Sequence, residues 1–126
     1  MDASALVDAL ARNRRSEAVR MHLQSADAVA APELLLVEVA SALWRLVRAG
    51  AINDSDARRG IDAVATMDVE LVPHRALLPQ AWAFRESVRI GDAFYLACAA
   101  RLGTSLLTTD ARLARGHHGV PTTLVS

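Results

Sequence analysis

Apolar residues recur along this chain at two spacings, and the two alternate. Spacings of three and four residues predict helices, and short apolar or β-branched runs closed by Pro or Gly predict strands. Helices are expected from Ser4 to about Arg12 and from Ser16 to Leu23, then a strand from Ala28 to Ala31 that stops at Pro32. Glu33 to Ala49 has the clearest amphipathic pattern, with Leu35, Val39, Ala42, Leu43 and Leu46 on one stripe and Gly50 closing it. Asn53-Asp54-Ser55-Asp56 supplies capping residues for a helix through about Thr66. Val69 to Val72 alternates like a strand up to Pro73, and a helix is expected from about Leu77 to Arg89. Asp92 opens the run Ala93 to Ala100, which carries no charge, as in a helix buried on all sides. Gly103 ends that helix, Ser105 to Thr109 forms a strand, Asp110 begins a short helical turn, and Val120 to Val125 gives a last strand.

Short strands separated by helices predict an α/β fold. The expected form is a three-layer sandwich whose short, mostly parallel sheet of about four to five strands is covered by helices. In such sheets the functional site lies beyond the carboxyl ends of the strands. Asp110 directly follows its strand, and Glu38 and Asp92 lie on or at the start of helices that can face the same edge.

Composition narrows the class. The chain has 126 residues, 52% of them apolar, with six Gly and four Pro, so one compact domain spanning 1–126 is expected. No apolar run reaches the roughly 18 to 20 uncharged residues that cross a bilayer, and the N-terminal pattern is not that of a signal peptide. The single Cys98 allows no internal disulfide, which fits a reducing cytoplasm. Formal charge is zero, yet all 14 basic residues are Arg. GC-rich coding explains that bias, and guanidinium groups also suit phosphate contacts.

Four carboxylates, Asp2, Glu38, Asp92 and Asp110, each stand in an apolar or small-residue stretch. A charge in such a place must be paired, protonated or bound to a metal. Each has an ordinary alternative when taken singly. Glu38 could pair with Arg45 on a surface, Asp92 and Asp2 could cap helices, and Asp110 could be a turn residue. Four of them, spread over the whole chain, instead suggest one site gathered by folding.

The segments that carry these acids resemble, in order, the motifs of the PIN domain and more narrowly of VapC-type toxins from bacterial toxin–antitoxin pairs. Asp2-Ala3-Ser4-Ala5-Leu6-Val7 resembles the opening motif, and Pro32 to Leu43 the segment with the second acid. Ile90 to Ala97 resembles the segment with the third, and Leu106 to Ala114 the closing motif. The resemblance implies a metal-dependent ribonuclease acting on structured RNA of the transfer or ribosomal class. Its ion would be Mg²⁺ or Mn²⁺. Asp2, Asp92 and Asp110 would be ligands, direct or through water, and Glu38 either a ligand or the group orienting the attacking water. Ser4, Thr108 and Thr109 could hydrogen-bond the ligating carboxylates. Carboxylates crowded without metal would repel, so metal binding should tighten at higher pH. The resemblance further implies a cognate VapB-like antitoxin and a homodimer.

Such chains carry a few apolar strand residues before the first acid, whereas Asp2 here follows Met1 directly. The expectation is a true start upstream, with Met1 standing for a Val read from a GTG codon. The intact mass of the native protein tests it. Among the remaining residues, Arg112 and Arg115 are candidates for contacts to RNA phosphate or to an acidic group of the antitoxin. Arg12, Arg14 and Arg15 read as either a solvated face or a backbone contact. His117-His118, flanked by Gly116 and Gly119, reads as an exposed loop, and Cys98 as core. Trp44 and Trp82 read as core or partner-surface packing in preference to base stacking. Two other readings stay open: a PIN-fold binding module without catalysis, and another metal-dependent phosphoesterase. The second lacks a Gly-rich phosphate loop and a paired Asp-x-Asp start.

Overall fold

The structure, a computed structural model, describes Ala18, Met21 and residues 29–103, 106–108 and 118–124. Strand β1 (Ala30–Pro32) runs almost directly into helix α1 (Leu34–Arg48), and α2 (Asp54–Ala65) follows. Then come β2 (Glu70–Val72), α3 (His74–Ala83), α4 (Ile90–Leu102), β3 (Leu106–Thr108) and β4 (Thr122–Leu124). The helix expected from Ser4 lies outside the described residues, as does the turn expected after Asp110, while Ala18 and Met21, within the helix expected from Ser16 to Leu23, are helical.

The expected parallel pairing is present. Ala30 stands opposite Glu70 and Pro32 opposite Val72, while Leu106 stands opposite Thr122 and Thr108 opposite Leu124. Among the described residues these strands form two separate pairs rather than one sheet of four or five. β1 and β2 are short because Pro32 and Pro73 stop them and a helix follows within two residues. The carboxyl ends of β1 and β2 thus lie side by side, and α1 and α3 both start there.

The helices follow the hydrophobic pattern with two shifts. On α1, Leu35, Val39 and Leu43 are buried at successive turns, and Gly50, at φ 75°, closes the helix in the left-handed region. On α2, Asn53 caps as expected: its side chain accepts from the Asp56 N–H at 2.7 Å. Helix α3 starts three residues earlier than expected and ends near Ala83, not Arg89. Tight turns from Phe84 and Arg85 back to Ala81 and Trp82 end it, and Pro79 inside it removes one ladder bond. Helix α4 starts at Ile90, so Asp92 falls in its first turn instead of opening it.

Helix α4 is the hub. It touches both β1 and β3 and packs along α3. Tyr95, Leu96 and Ala99 join the core made by Ala31, Leu35, Val39 and Leu43. Ala93, Ala97 and Cys98 join a second one with Val72, Leu77 and Ala81. The uncharged run Ala93 to Ala100 is therefore used on both sides, as its composition predicts. Fully burying a Leu such as Leu35 or Leu96 contributes about 1.5–3 kcal/mol.

Candidate active site

Glu38 and Asp92 stand on different helices, α1 and α4, and these helices touch beside each acid. A Cβ on Gly91 would lie 3.9 Å from Leu34 Cδ2. Four residues further along each helix, the Tyr95 hydroxyl donates to Glu38 Oε1 at 2.6 Å. These two rungs are one helical turn apart. Asp92 stands on α4 just after the first rung and three residues before Tyr95, so it and Tyr95 share a face. The site lies at the helix-start end of α4, near the carboxyl ends of β1 and β2. That is the edge expected of an α/β sheet.

Each acid has one oxygen held. Tyr95, only 2% exposed, holds Glu38 Oε1. Arg89 Nε donates to Asp92 Oδ2 at 3.2 Å, and the Asp92 side chain is 19% exposed against 69% for Arg89. The first turn of a helix also favours a carboxylate by roughly 0.3–1 kcal/mol. Among the described residues, Glu38 Oε2 and Asp92 Oδ1 have no hydrogen-bond partner.

The ordinary alternatives for these two acids do not hold. Glu38 makes no ion pair with Arg45 or any other cation among the described residues. Asp92 is not a cap, because Arg89 occupies the N-cap and no side chain caps that end.

A third feature ties down the same edge. Glu33, the N-cap of α1, makes no side-chain cap bond. The Leu34 N–H instead donates to His74 Nε2 at 2.7 Å, so the imidazole caps α1 from the start of α3. Its ring lies 5.1 Å from that of Phe94 on α4. His74 thus joins α1, α3 and α4 around the site. Sequence reasoning missed His74, Tyr95 and Arg89. The available signals were a helix start without a Ser, Thr, Asp or Asn cap, and a phenol in an uncharged helix that needs an acceptor.

Asp2, Ser4, Thr109, Asp110, Arg112 and Arg115 lie outside the described residues, as do Arg12, Arg14, Arg15 and His117. Thr108 is the last residue of β3. His118 sits in a loop as expected but is half-buried, and its Nδ1 accepts from the Val120 N–H at 3.1 Å. Cys98 is core as expected, and burial pushes its thiol above the ordinary value. Trp44 and Trp82 are not core, being 58% and 59% exposed. Each lies beside the buried stripe of its helix, not on it. Among the described residues no three His, Cys, Asp or Glu side chains gather as metal ligands. Glu38 and Asp92 offer hard carboxylate oxygens, the donor type that Mg²⁺ and Mn²⁺ take.

The PIN domain family profile matches residues 1–117. The chain belongs to the PIN domain family. Ribonuclease VapC3 of Mycobacterium tuberculosis is 41% identical over 116 residues, covering 91% of this chain and 84% of the relative. Ribonuclease VapC1 of the same organism is 39% identical over 115 residues, covering 90% and 86%. Ribonuclease VapC9 is 31% identical over 126 residues, covering 99% and 96%. Within this PIN domain, the segments that resemble the second and third acidic motifs are those that the α1–α4 contact brings together.

Proposed function

We propose that this chain is a metal-dependent endoribonuclease, the toxin of a toxin–antitoxin pair, cleaving structured RNA of the transfer or ribosomal class and so inhibiting translation. The observation that carries the reading is the Tyr95–Glu38 bond, which ties the second acidic segment to the helix whose first turn bears Asp92, in a chain whose relatives are named ribonucleases. On this reading residues 1–126 are a single PIN-like domain, and the two strand pairs belong to one parallel sheet of four to five strands in three layers.

Asp92 and Glu38 would hold Mg²⁺ or Mn²⁺ together with Asp2 and Asp110, some of them through water. When bound, the ion neutralises charge on the phosphodiester and lowers the pKa of a bound water. Tyr95 fixes the Glu38 carboxylate through one oxygen and leaves the other to face an ion or a water. Arg89 does the same for Asp92 and adds positive charge at the mouth of the site. Ser4, Thr108 and Thr109 would orient the ligating carboxylates. Arg112 and Arg115 would take RNA phosphate or an acidic group of a VapB-like antitoxin.

A freely active ribonuclease harms its host, which calls for such an antitoxin. An open groove of about 420 Å³ between α1 and α2, lined in part by Leu43, Trp44, Val47 and Ile61, offers a seat for a partner segment. A homodimer and a cytoplasmic location complete the proposal. No helix among the described residues is long and apolar enough to cross a membrane.

The test is cleavage of structured RNA by purified protein with Mg²⁺ or Mn²⁺ and with chelator. Metal-dependent cleavage that Asp92→Asn abolishes is the expected result. Cleavage that persists in that variant points to a contaminant or another site. No cleavage with tight binding to an antitoxin peptide would favour the binding module. A cleavage-site map across total RNA then identifies the substrate.

A further inference from the structure

The face of α3 that points away from the core is unusual for its mixture of residues. Arg75, Leu78 and Trp82 recur at spacings of three and four on α3, and Arg85, in the turn just beyond the helix, extends that ridge by lying over the Trp82 ring. Leu78 is 55% exposed and Trp82 59%. The Arg85 guanidinium lies 4.8 Å above the Trp82 ring and donates to the Trp82 carbonyl at 3.0 Å, which braces one face of the indole. Arg101 of α4 reaches over α3 to donate to the Ala76 carbonyl at 3.2 Å, beside Arg75. Arg75 has no ion-pair partner among the described residues. Between His74 and Gly91 the only acid is Glu86.

The ridge is joined in sequence to the segment that holds Asp92. The turn after α3 carries Arg85 toward Arg89, and Arg89 is bonded to Asp92. An exposed flat ring, uncompensated guanidinium groups and a short link to the Asp92 segment match one kind of ligand, a flexible polyanion with planar bases. A purely apolar partner would leave these charges unanswered.

We propose that the Arg75–Leu78–Trp82–Arg85 ridge binds the single-stranded RNA that flanks the scissile phosphate, resting on the ribonuclease reading above. Trp82 stacks on a base, and Arg75 and Arg85 contact backbone phosphates. Stacking tolerates any base, so the ridge supplies affinity and register, while the sequence choice is made elsewhere. Structured RNAs present such strands in their loops.

The test uses the full chain in EDTA, which prevents cleavage, and a fluorescein-labelled single-stranded oligoribonucleotide of about ten nucleotides. Anisotropy titrations compare wild type, Trp82→Ala and the Arg75→Ala/Arg85→Ala double variant. Trp82→Ala is expected to weaken binding by at least about fivefold. The double variant should flatten the dependence of log affinity on log salt by about 0.7 per arginine removed. The two exposed tryptophans give an internal control. RNA should still quench the fluorescence of Trp44→Phe and should no longer quench that of Trp82→Phe.

Thermal unfolding should be unchanged in all these variants, since the side chains are exposed. Wild type failing to bind the oligonucleotide at low salt overturns the proposal. So does wild-type affinity and quenching in the Trp82 and arginine variants. If those variants instead convert a dimer to a monomer with RNA affinity unchanged, the ridge belongs to a second copy of the chain. The ribonuclease reading fails separately, by absence of metal-dependent cleavage in wild type. A cleaving wild type whose ridge variants bind RNA normally sinks this proposal alone.

Discussion

Asp92 and Asp54 are both aspartates in the first turn of a helix, and each bonds an arginine close in sequence at 3.2 Å. There the likeness ends. The Asp54 side chain is 71% exposed and its partner Arg58 81%, while Asp92 is 19% exposed. Helix α2 is started by a proper cap, Asn53, and its acids pair along their own helix, Asp54 with Arg58 and Asp56 with Arg59. Helix α4 has no side-chain cap, yet keeps a carboxylate in a turn that packs near another helix bearing Glu38. In α2 the charges serve the helix and the solvent. In α4 the charge is held where it costs more, and nothing in helix formation requires it there. A difference in burial, not in residue type, separates a solvated acid from a candidate site acid.

The sharpest way to break this comparison is to neutralise one acid in each region. Glu38→Gln keeps an acceptor for Tyr95 and removes only the charge. RNA cleavage is expected to fall more than about 100-fold, beyond the loss usual for groups that merely orient a ligand. Asp54→Asn should leave the rate of wild type. Equal losses in both variants, measured on the same RNA, would show that charge anywhere on this surface is what matters.

Tyr95→Phe probes the next level down. It keeps the ring in the core and deletes only the hydroxyl that holds Glu38 Oε1. Cleavage and Mn²⁺ affinity, the latter measured by titration calorimetry, should each drop roughly 10- to 100-fold. A tyrosine that serves packing alone would leave Mn²⁺ affinity unmoved, and the titration separates the two roles. The thermal midpoint should fall by an amount fitting about 1.5–3 kcal/mol at most, the range for one hydrogen bond to a charged group.

These partners also mark how far the sequence could be read. The α1 stripe, the Asn53 cap, the charge-free run Ala93 to Ala100 of α4 and the Gly103 ending all follow from local rules, and all are present. So does the parallel pairing of strands linked by helices. Glu38 and Asp92 were legible as acids out of place. The bond that ties their helices was not, because Tyr95 and Glu38 are 57 residues apart and only packing brings those two together. The early end of α3 was missed for a local reason of the opposite kind: the pattern from Leu77 to Arg89 stays helical while the backbone tightens at Phe84. The two tryptophans show the limit of hydrophobicity as a guide. Apolar neighbours predict a core position, but a residue one step off the stripe faces water.

His74 tests whether the site edge is held from outside. Its imidazole satisfies the Leu34 N–H, an orphan donor that Glu33 leaves uncapped. His74→Ala should lower stability by about 1 kcal/mol, the usual worth of an N-cap, read from denaturant unfolding. His74→Asn, with a shorter acceptor, should recover less than the full amount, since the bond spans 40 residues and depends on reach. An alanine variant as stable as wild type would mean that water caps α1 equally well.

The smallest expected effect closes the comparison from the other side. The Asp54–Arg58 and Asp56–Arg59 pairs are exposed and local. Pairs of this kind contribute about 0.2–1 kcal/mol, because water screens them and two long side chains must be ordered. Arg58→Ala and Arg59→Ala should therefore shift the unfolding midpoint only slightly, and the shift should shrink further as salt is raised. Arg89→Ala removes a cation that looks equivalent on a list of ion pairs. Its partner, however, is a half-buried carboxylate, so the loss should persist at high salt and should weaken Mn²⁺ binding as Asp92 loses its fixed orientation. Equal salt sensitivity at Arg58 and Arg89 would remove the distinction between the two helix starts. Unequal sensitivity would place it in the burial of a single aspartate.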